Sequence, residues 1–223
     1  MSRSSDPPPT VLEVGIACDA REVRGELRVP EHPRGAVAFA HGSGSGRYSP
    51  RNRFVAQELR KLHLATLLVD LLEEDEAEDQ DKVFDIGLLG TRLLAAAHWL
   101  RAQELTGALP LGYFGASTGA AAALSAAAEQ PQLVAAIVSR GGRPDLAAGS
   151  LAQVQAPTLL IVGEQDVHVL DLNREALQRL TSTKELAVIP GATHLFAEAG
   201  ALEEVARHAG RWFVRYLNGE RQA

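Results

Sequence analysis

Short apolar runs rich in β-branched residues recur along the chain, and from the third onward they are separated by stretches whose apolar residues return every three or four positions. The first pattern predicts strands and the second predicts amphipathic helices. Strands are expected at 11–16, 23–29, 35–40, 65–71, 111–114, 133–139, 158–162 and 186–189, and helices at 50–62, 84–101, 118–130, 170–180 and 201–217. From residue 35 the two kinds alternate, which calls for crossover helices and hence a mostly parallel eight-stranded sheet, α/β in class, covered on both faces. The first two strands leave no room for a helix between them and read as an antiparallel hairpin at one edge.

The 223 residues suffice for one large core, and no repeat or Pro/Gly/Ser-rich linker divides them. The expected organisation is a frayed tail over 1–10, one domain over 11–217 and a second tail over 218–223. Between the sixth and seventh strands, residues 140–157 are too few for a separate lid domain, so the site is expected to be open on that side.

Composition narrows the function classes. No apolar stretch approaches a membrane span and the first ten residues are polar and proline-rich, so a cytoplasmic protein with no membrane contact is expected. Cys18 is the single cysteine, which excludes an internal disulfide and reads as a filler in a strand or hairpin. Glu73, Glu74, Asp75, Glu76, Glu78, Asp79 and Asp81 outweigh the whole net charge of -6. Such a like-charge block reads as a solvated, mobile loop. With 5% aromatic residues and no basic patch among them, nucleic acid is not an expected partner. No paired histidines or Cys/His cluster offers a metal site.

The chemistry is carried by Gly115-Ala116-Ser117-Thr118-Gly119, which joins the fifth strand to an alanine-rich helix. A serine on so tight a strand-to-helix turn is lifted above the sheet, with a helix N-terminus aimed at it. The motif alone is weak. It gains force from Asp166, just past the seventh strand, and His194, just past the eighth, because serine, acid and histidine then follow in nucleophile-elbow order. A serine hydroxyl needs a base that works near neutral pH, and imidazole fits. A carboxylate on the other ring nitrogen fixes the tautomer and stabilises the imidazolium. The backbone N–H of Thr118 and one from the loop His41-Gly42-Ser43-Gly44-Ser45-Gly46, assigned to Ser43, would hold the oxyanion, each contributing about 3 kcal/mol.

Together the glycine-rich loop, the elbow, Asp166, His194 and the missing lid resemble the α/β-hydrolase superfamily, and within it the dienelactone-hydrolase-like group, over nearly the whole chain. The resemblance implies the α/β-hydrolase fold and acyl-bond hydrolysis on a small-molecule ester, thioester or lactone, with no cofactor. Dienelactone hydrolases proper have a cysteine where this chain has Ser117, so cleavage of a dienelactone is not carried over. Some similar domains are joined to a phosphoribosyltransferase domain, which this chain lacks, and that implies a functional link to such an enzyme. A monomer or a homodimer is compatible with the sequence.

Plainer readings accompany each residue. Asp166 could cap the following helix, with Asp145 as the acid instead; His194 could be a loop histidine; His41 reads as a brace for the glycine-rich loop rather than a base. Arg47, Arg140 and Arg143 are candidates for binding a substrate carboxylate, against the plainer reading that they, like Arg51 and Arg53, pair with Asp70 or the acidic block. Two other classes of function fit parts of the chain: a ligand-binding protein without turnover, and a dinucleotide-binding unit using Gly42 to Gly46 with Asp70, whose fingerprint is broken by Arg47 in place of a third glycine.

Overall fold

The computed structural model describes residues 9–18 and 21–218, so the expected tails lie largely outside the described residues. It contains an eight-stranded sheet in the order β1-β2-β4-β3-β5-β6-β7-β8. The strands are β1 (Thr10–Cys18), β2 (Arg21–Val29), β3 (Gly35–Ala40), β4 (Leu64–Val69), β5 (Leu111–Ala116), β6 (Ala136–Arg140), β7 (Thr158–Gly163) and β8 (Lys184–Ile189). β1 and β2 form the antiparallel edge hairpin, β2 runs antiparallel to β4, and every pairing from β4 to β8 is parallel. β3 to β7 are wholly buried and mainly apolar, with Thr66 and Ser139 among the few polar residues inside them, as strands covered on both faces must be. Cys18 is buried at the end of β1.

Two helices, α1 (Pro50–Arg60) and α7 (Ala201–Tyr216), cover one face, where Val55, Leu59, Val205, Trp212 and Phe213 pack on Phe39, Phe114 and Val138. Three others, α4 (Ile86–Ala102), α5 (Thr118–Glu129) and α6 (Val167–Arg179), lie on the opposite face. Ser49 caps α1 and Pro50 supplies its first residue, a start signal plain in the sequence. In α5 the run of alanines from Ala120 to Ala127 is buried throughout, so the helix sits close against both the sheet and α4. The link from β6 to β7 is two short 3-10 turns packed on α5 and α6, with no lid in it.

The acidic block is the main departure from expectation. It folds into two short helices, α2 (Glu74–Ala77) and α3 (Gln80–Val83), and Glu76 is 3% exposed. Glu76 accepts two hydrogen bonds from the Arg92 guanidinium at 2.5 and 2.8 Å, and Arg92 also donates to the Leu71 carbonyl at 2.8 Å. Arg21 pairs with Glu73, Asp75 and Glu76. A counterion on α4, 16 residues away, converts what looked like a repelling run into an anchored cap; charge counting along the chain is blind to that partner.

Arg92 holds the Glu76 carboxyl down at about 2, outweighing the burial that would raise it. Because this lies below the ordinary value of 4.5, the pair's contribution is complete above about pH 4.5 and is lost as pH falls toward 2. Glu76→Gln is expected to lower unfolding free energy at pH 7 by about 3 kcal/mol, since it removes the charge that compensates a buried guanidinium. Urea titrations at pH 7 and pH 3 should show this deficit shrinking on acidification; equal pH dependence in both proteins would contradict the assignment.

Candidate active site

Ser117 stands between the end of β5 and the start of α5 with φ 53° and ψ -121°, a region that costs a non-glycine residue of order 1–3 kcal/mol. Backbone bonds over-determine the turn: Ser117 N–H donates to the Arg140 carbonyl at 3.2 Å, and the Ser117 carbonyl accepts from Arg143 and Ala120 N–H at 3.1 Å each. Gly119 is indispensable, because a Cβ there would lie 2.2 Å from the Ala40 carbonyl oxygen. The same contact shows how closely the elbow is pressed against the end of β3. Thr118, as the first residue of α5, has an N–H without an acceptor in the preceding turn of helix.

His194 and Asp166 meet. The ring Nδ1 lies 2.6 Å from Asp166 Oδ2, so the carboxylate accepts from Nδ1–H and leaves Nε2 as the basic nitrogen. The imidazole edge rests on Gly141, whose Cβ position would be 3.4 Å from Cε1. Ser117 is hydrogen-bonded to Arg140 and His194 abuts Gly141, so the two residues flank one short segment at the end of β6. The His194 loop is shaped by Glu198, which accepts from Thr193 N–H at 3.1 Å and from its hydroxyl at 2.7 Å. Asp145 is committed elsewhere: Arg143 donates to both its oxygens at 2.9 and 2.7 Å, which holds its carboxyl below the usual range. Asp166, not Asp145, therefore faces the imidazole.

The glycine-rich loop lies against the Ser117 turn, with the Gly42 Cβ position 2.8 Å from Ser117 Cβ. His41 braces it as expected. Its Nε2 accepts from Leu71 N–H at 3.0 Å and its Nδ1 donates to the Gly42 carbonyl at 3.0 Å, which makes the ring neutral; burial pushes its pKa down. Ser43 N–H, assigned to the oxyanion, donates instead to Thr118 Oγ1 at 3.1 Å. Ser43 thus turns toward the first residue of α5, and its N–H becomes available to a ligand only by leaving or sharing that acceptor.

The arginines divide. Arg47 pairs with Asp70 through its guanidinium and also donates its backbone N–H to that carboxylate, Arg53 pairs with Glu26, and Arg143 pairs with Asp145. Arg140 is 8% exposed, and no partner satisfies its Nε or Nη1. A residue the sequence did not flag is Asn173 on α6, fully buried, whose side-chain amide donates to the Gly142 carbonyl at 3.0 Å and so fixes the segment between Ser117 and His194. Its only signal was a polar residue on the apolar stripe of α6. Among the described residues no group of three or more His, Cys, Asp or Glu side chains is placed to hold a metal, and no helix is long and apolar enough to cross a membrane.

The left-handed backbone at Ser117 yields a prediction. Ser117→Gly should raise stability by about 1 kcal/mol in a denaturant titration, whereas Ser117→Ala, equally strained, should not. Identical midpoints for the two variants would show that the turn stores no strain.

Residues 68–218 match the dienelactone hydrolase family. A Mycobacterium tuberculosis (strain H37Rv) protein named "Putative phosphoribosyl transferase" is 54% identical over 216 residues, 97% of this chain and 49% of its own length. The chain therefore spans about half the length of the curated relatives it matches. The crystal structure of a dienelactone hydrolase from Anabaena variabilis superposes with a TM-score of 0.91 at 51% identity, covering 95% of this chain and all of that one. An esterase from Pyrococcus furiosus, 18% identical with a TM-score of 0.79 over 94% of each chain, shares the fold. The architecture is that of an α/β-hydrolase, and the chain belongs to the dienelactone hydrolase family.

Proposed function

We propose that this hydrolase transfers an acyl group from an ester, thioester or lactone to water through an acyl-enzyme on Ser117. The observation that carries the reading is the 2.6 Å hydrogen bond between His194 and Asp166 beside a half-buried serine held in a strained turn at the carboxyl ends of the parallel strands. His194 Nε2 takes the proton as Ser117 Oγ attacks the carbonyl carbon, and the imidazolium so formed is stabilised by Asp166. The oxyanion draws on Thr118 N–H and, once the Thr118 hydroxyl yields it, Ser43 N–H. Collapse of the tetrahedral adduct returns the proton to the leaving group. Water then attacks the acyl-enzyme with the same base, and serine is regenerated. No step calls for a cofactor or metal.

The longer mycobacterial relatives carry a phosphoribosyl-transferase name over a length twice that matched by this chain. On our reading the present chain supplies hydrolysis, in the cytoplasm, as a single domain that is a monomer or a homodimer, and a phosphoribosyltransferase is its functional partner. The competing reading, a ligand-binding protein without turnover, is separated by chemistry. A fluorophosphonate probe should label Ser117 stoichiometrically, and Ser117→Ala and His194→Ala should each lower kcat for p-nitrophenyl acetate by roughly 10⁴-fold or more with the fold intact by circular dichroism. An unlabelled serine in folded protein, or undiminished turnover in Ser117→Ala, would remove the proposal.

A further inference from the structure

Arg140 is the last residue of β6, adjacent in the sheet to Ala116 and bonded through its carbonyl to Ser117 N–H. The strand's alternation places it on the side of Ala136 and Val138, which face α1 and α7. Burial there, and after it repulsion from the Arg51 guanidinium in the first turn of α1, push Arg140 down to about 10. Arg140 Nε and Nη1 and Arg51 Nε are buried without a hydrogen-bond partner. Neither arginine makes an ion pair with a carboxylate among the described residues, whereas Arg47, Arg53 and Arg143 each have one. Two like charges that repel one another, one nine-tenths buried and both incompletely hydrogen-bonded, are costly to fold around and are expected where a ligand supplies the missing anion.

We propose that Arg51 and Arg140 form an anion subsite beside Ser117, which makes the preferred substrate an acyl compound carrying a carboxylate or phosphate group. The inference rests on the hydrolase reading for the meaning of the neighbouring serine. It follows from place as well as charge. The residue after Arg140 lies against the His194 ring, and Arg140 itself holds the nucleophile turn, so an oxyanion bound there belongs to a molecule whose carbonyl can reach Ser117. A guanidinium fork suits a planar carboxylate or two phosphate oxygens, and a second guanidinium closes the remaining side. Arg143 is excluded from this role by its two bonds to Asp145, and Arg47 by Asp70.

The experiment compares charged and neutral esters of matched size in the same enzyme, with active sites titrated by the fluorophosphonate. On the acyl side the pair is mono-p-nitrophenyl adipate and p-nitrophenyl hexanoate; on the leaving-group side it is 4-acetoxybenzoate and phenyl acetate. Glutarate and inorganic phosphate, as competitive inhibitors, tell carboxylate from phosphate. For at least one pair, wild-type kcat/KM should favour the charged ester at least about 10-fold, the ratio expected of charge-assisted hydrogen bonds. Arg140→Gln and Arg51→Gln should each bring that ratio near one and weaken inhibition by the preferred anion. A merely structural arginine would scale both esters alike. Ratios near one in wild type, or a preference unchanged in both variants, would overturn the subsite while leaving the serine mechanism standing. If wild type neither labels nor turns over ester, the hydrolase reading fails, and the subsite is then decided by thermal stabilisation: glutarate or phosphate must raise the melting temperature of wild type more than that of Arg140→Gln.

Discussion

The close approach of backbone to backbone at the carboxyl ends of the parallel strands is the constraint on which the rest of the molecule depends. Side chains cannot intervene there: a Cβ on Gly119 would sit 2.2 Å from the Ala40 carbonyl, and one on Gly163 would sit 2.3 Å from the Ala192 carbonyl. The first contact seats the nucleophile turn on the end of β3, and the second seats the end of β7, with Asp166 just beyond it, on the loop that carries His194. Strand order does the remaining work. With β5 next to β6 and β6 next to β7, Ser117, Asp166 and His194 come from neighbouring strands or the loop beside them. The Arg140–Arg143 segment fills the space between, fixed by bonds to Ser117, to the Ile161 carbonyl and to Asn173. Displacing any one of these contacts would move all three residues relative to one another, since few alternative packings exist for glycine on carbonyl.

A second set of bonds connects the acidic cap to the glycine-rich loop through one residue. Leu71 follows β4; its N–H donates to His41 Nε2 and its carbonyl accepts from Arg92, which in turn holds Glu76. The orientation of His41, and through it the course of Gly42 and Ser43, is thereby coupled to the helices α2 and α3. Ala77 and Val83 from the cap line a small crevice with His41, Ser43 and Thr118, so the cap is a wall of the glycine-rich loop's surroundings rather than a free segment. The carboxylates that look like surplus charge are in part the means of attaching that wall.

Periodicity made the fold legible because nearly every strand and helix obeys one burial rule along its length. The five long helices were readable to within about three residues at either end, and the interior strands were apolar because both faces are covered. Ser117, Asp166 and His194 were legible for a different reason: their residue types, order and positions just past strand ends are fixed by the chemistry they would perform. What escaped were interactions between distant side chains. The pairing of Glu76 with Arg92 has no local pattern, the burial of Asn173 looks like any polar residue on a helix, and the turn of Ser43 N–H toward Thr118 depends on loop geometry that glycines leave unspecified. The arginines show the same limit. Arg47, Arg140 and Arg143 were the candidates on paper and Arg51 was not among them; only the placement of Asp70, Glu26 and Asp145 distinguishes the neutralised Arg47, Arg53 and Arg143 from Arg51 and Arg140.

This division of charge gives the site a direction although the protein as a whole is acidic, with a net charge of -6. The end of β4 carries the acidic cap, where Glu73, Glu74 and Asp75 line a cavity of about 630 Å³ with Asp70 and Arg47. On the other side of β3 and β5, Arg140 at the end of β6 and Arg51 at the start of α1 have no carboxylate partner among the described residues. An anionic ligand is repelled from the first region and attracted to the second, and screening over about 8 Å at physiological salt leaves the nearer groups dominant. Under the proposed reading such a charge asymmetry would orient an anionic substrate before any bond is made, a contribution that does not depend on a lid between β6 and β7.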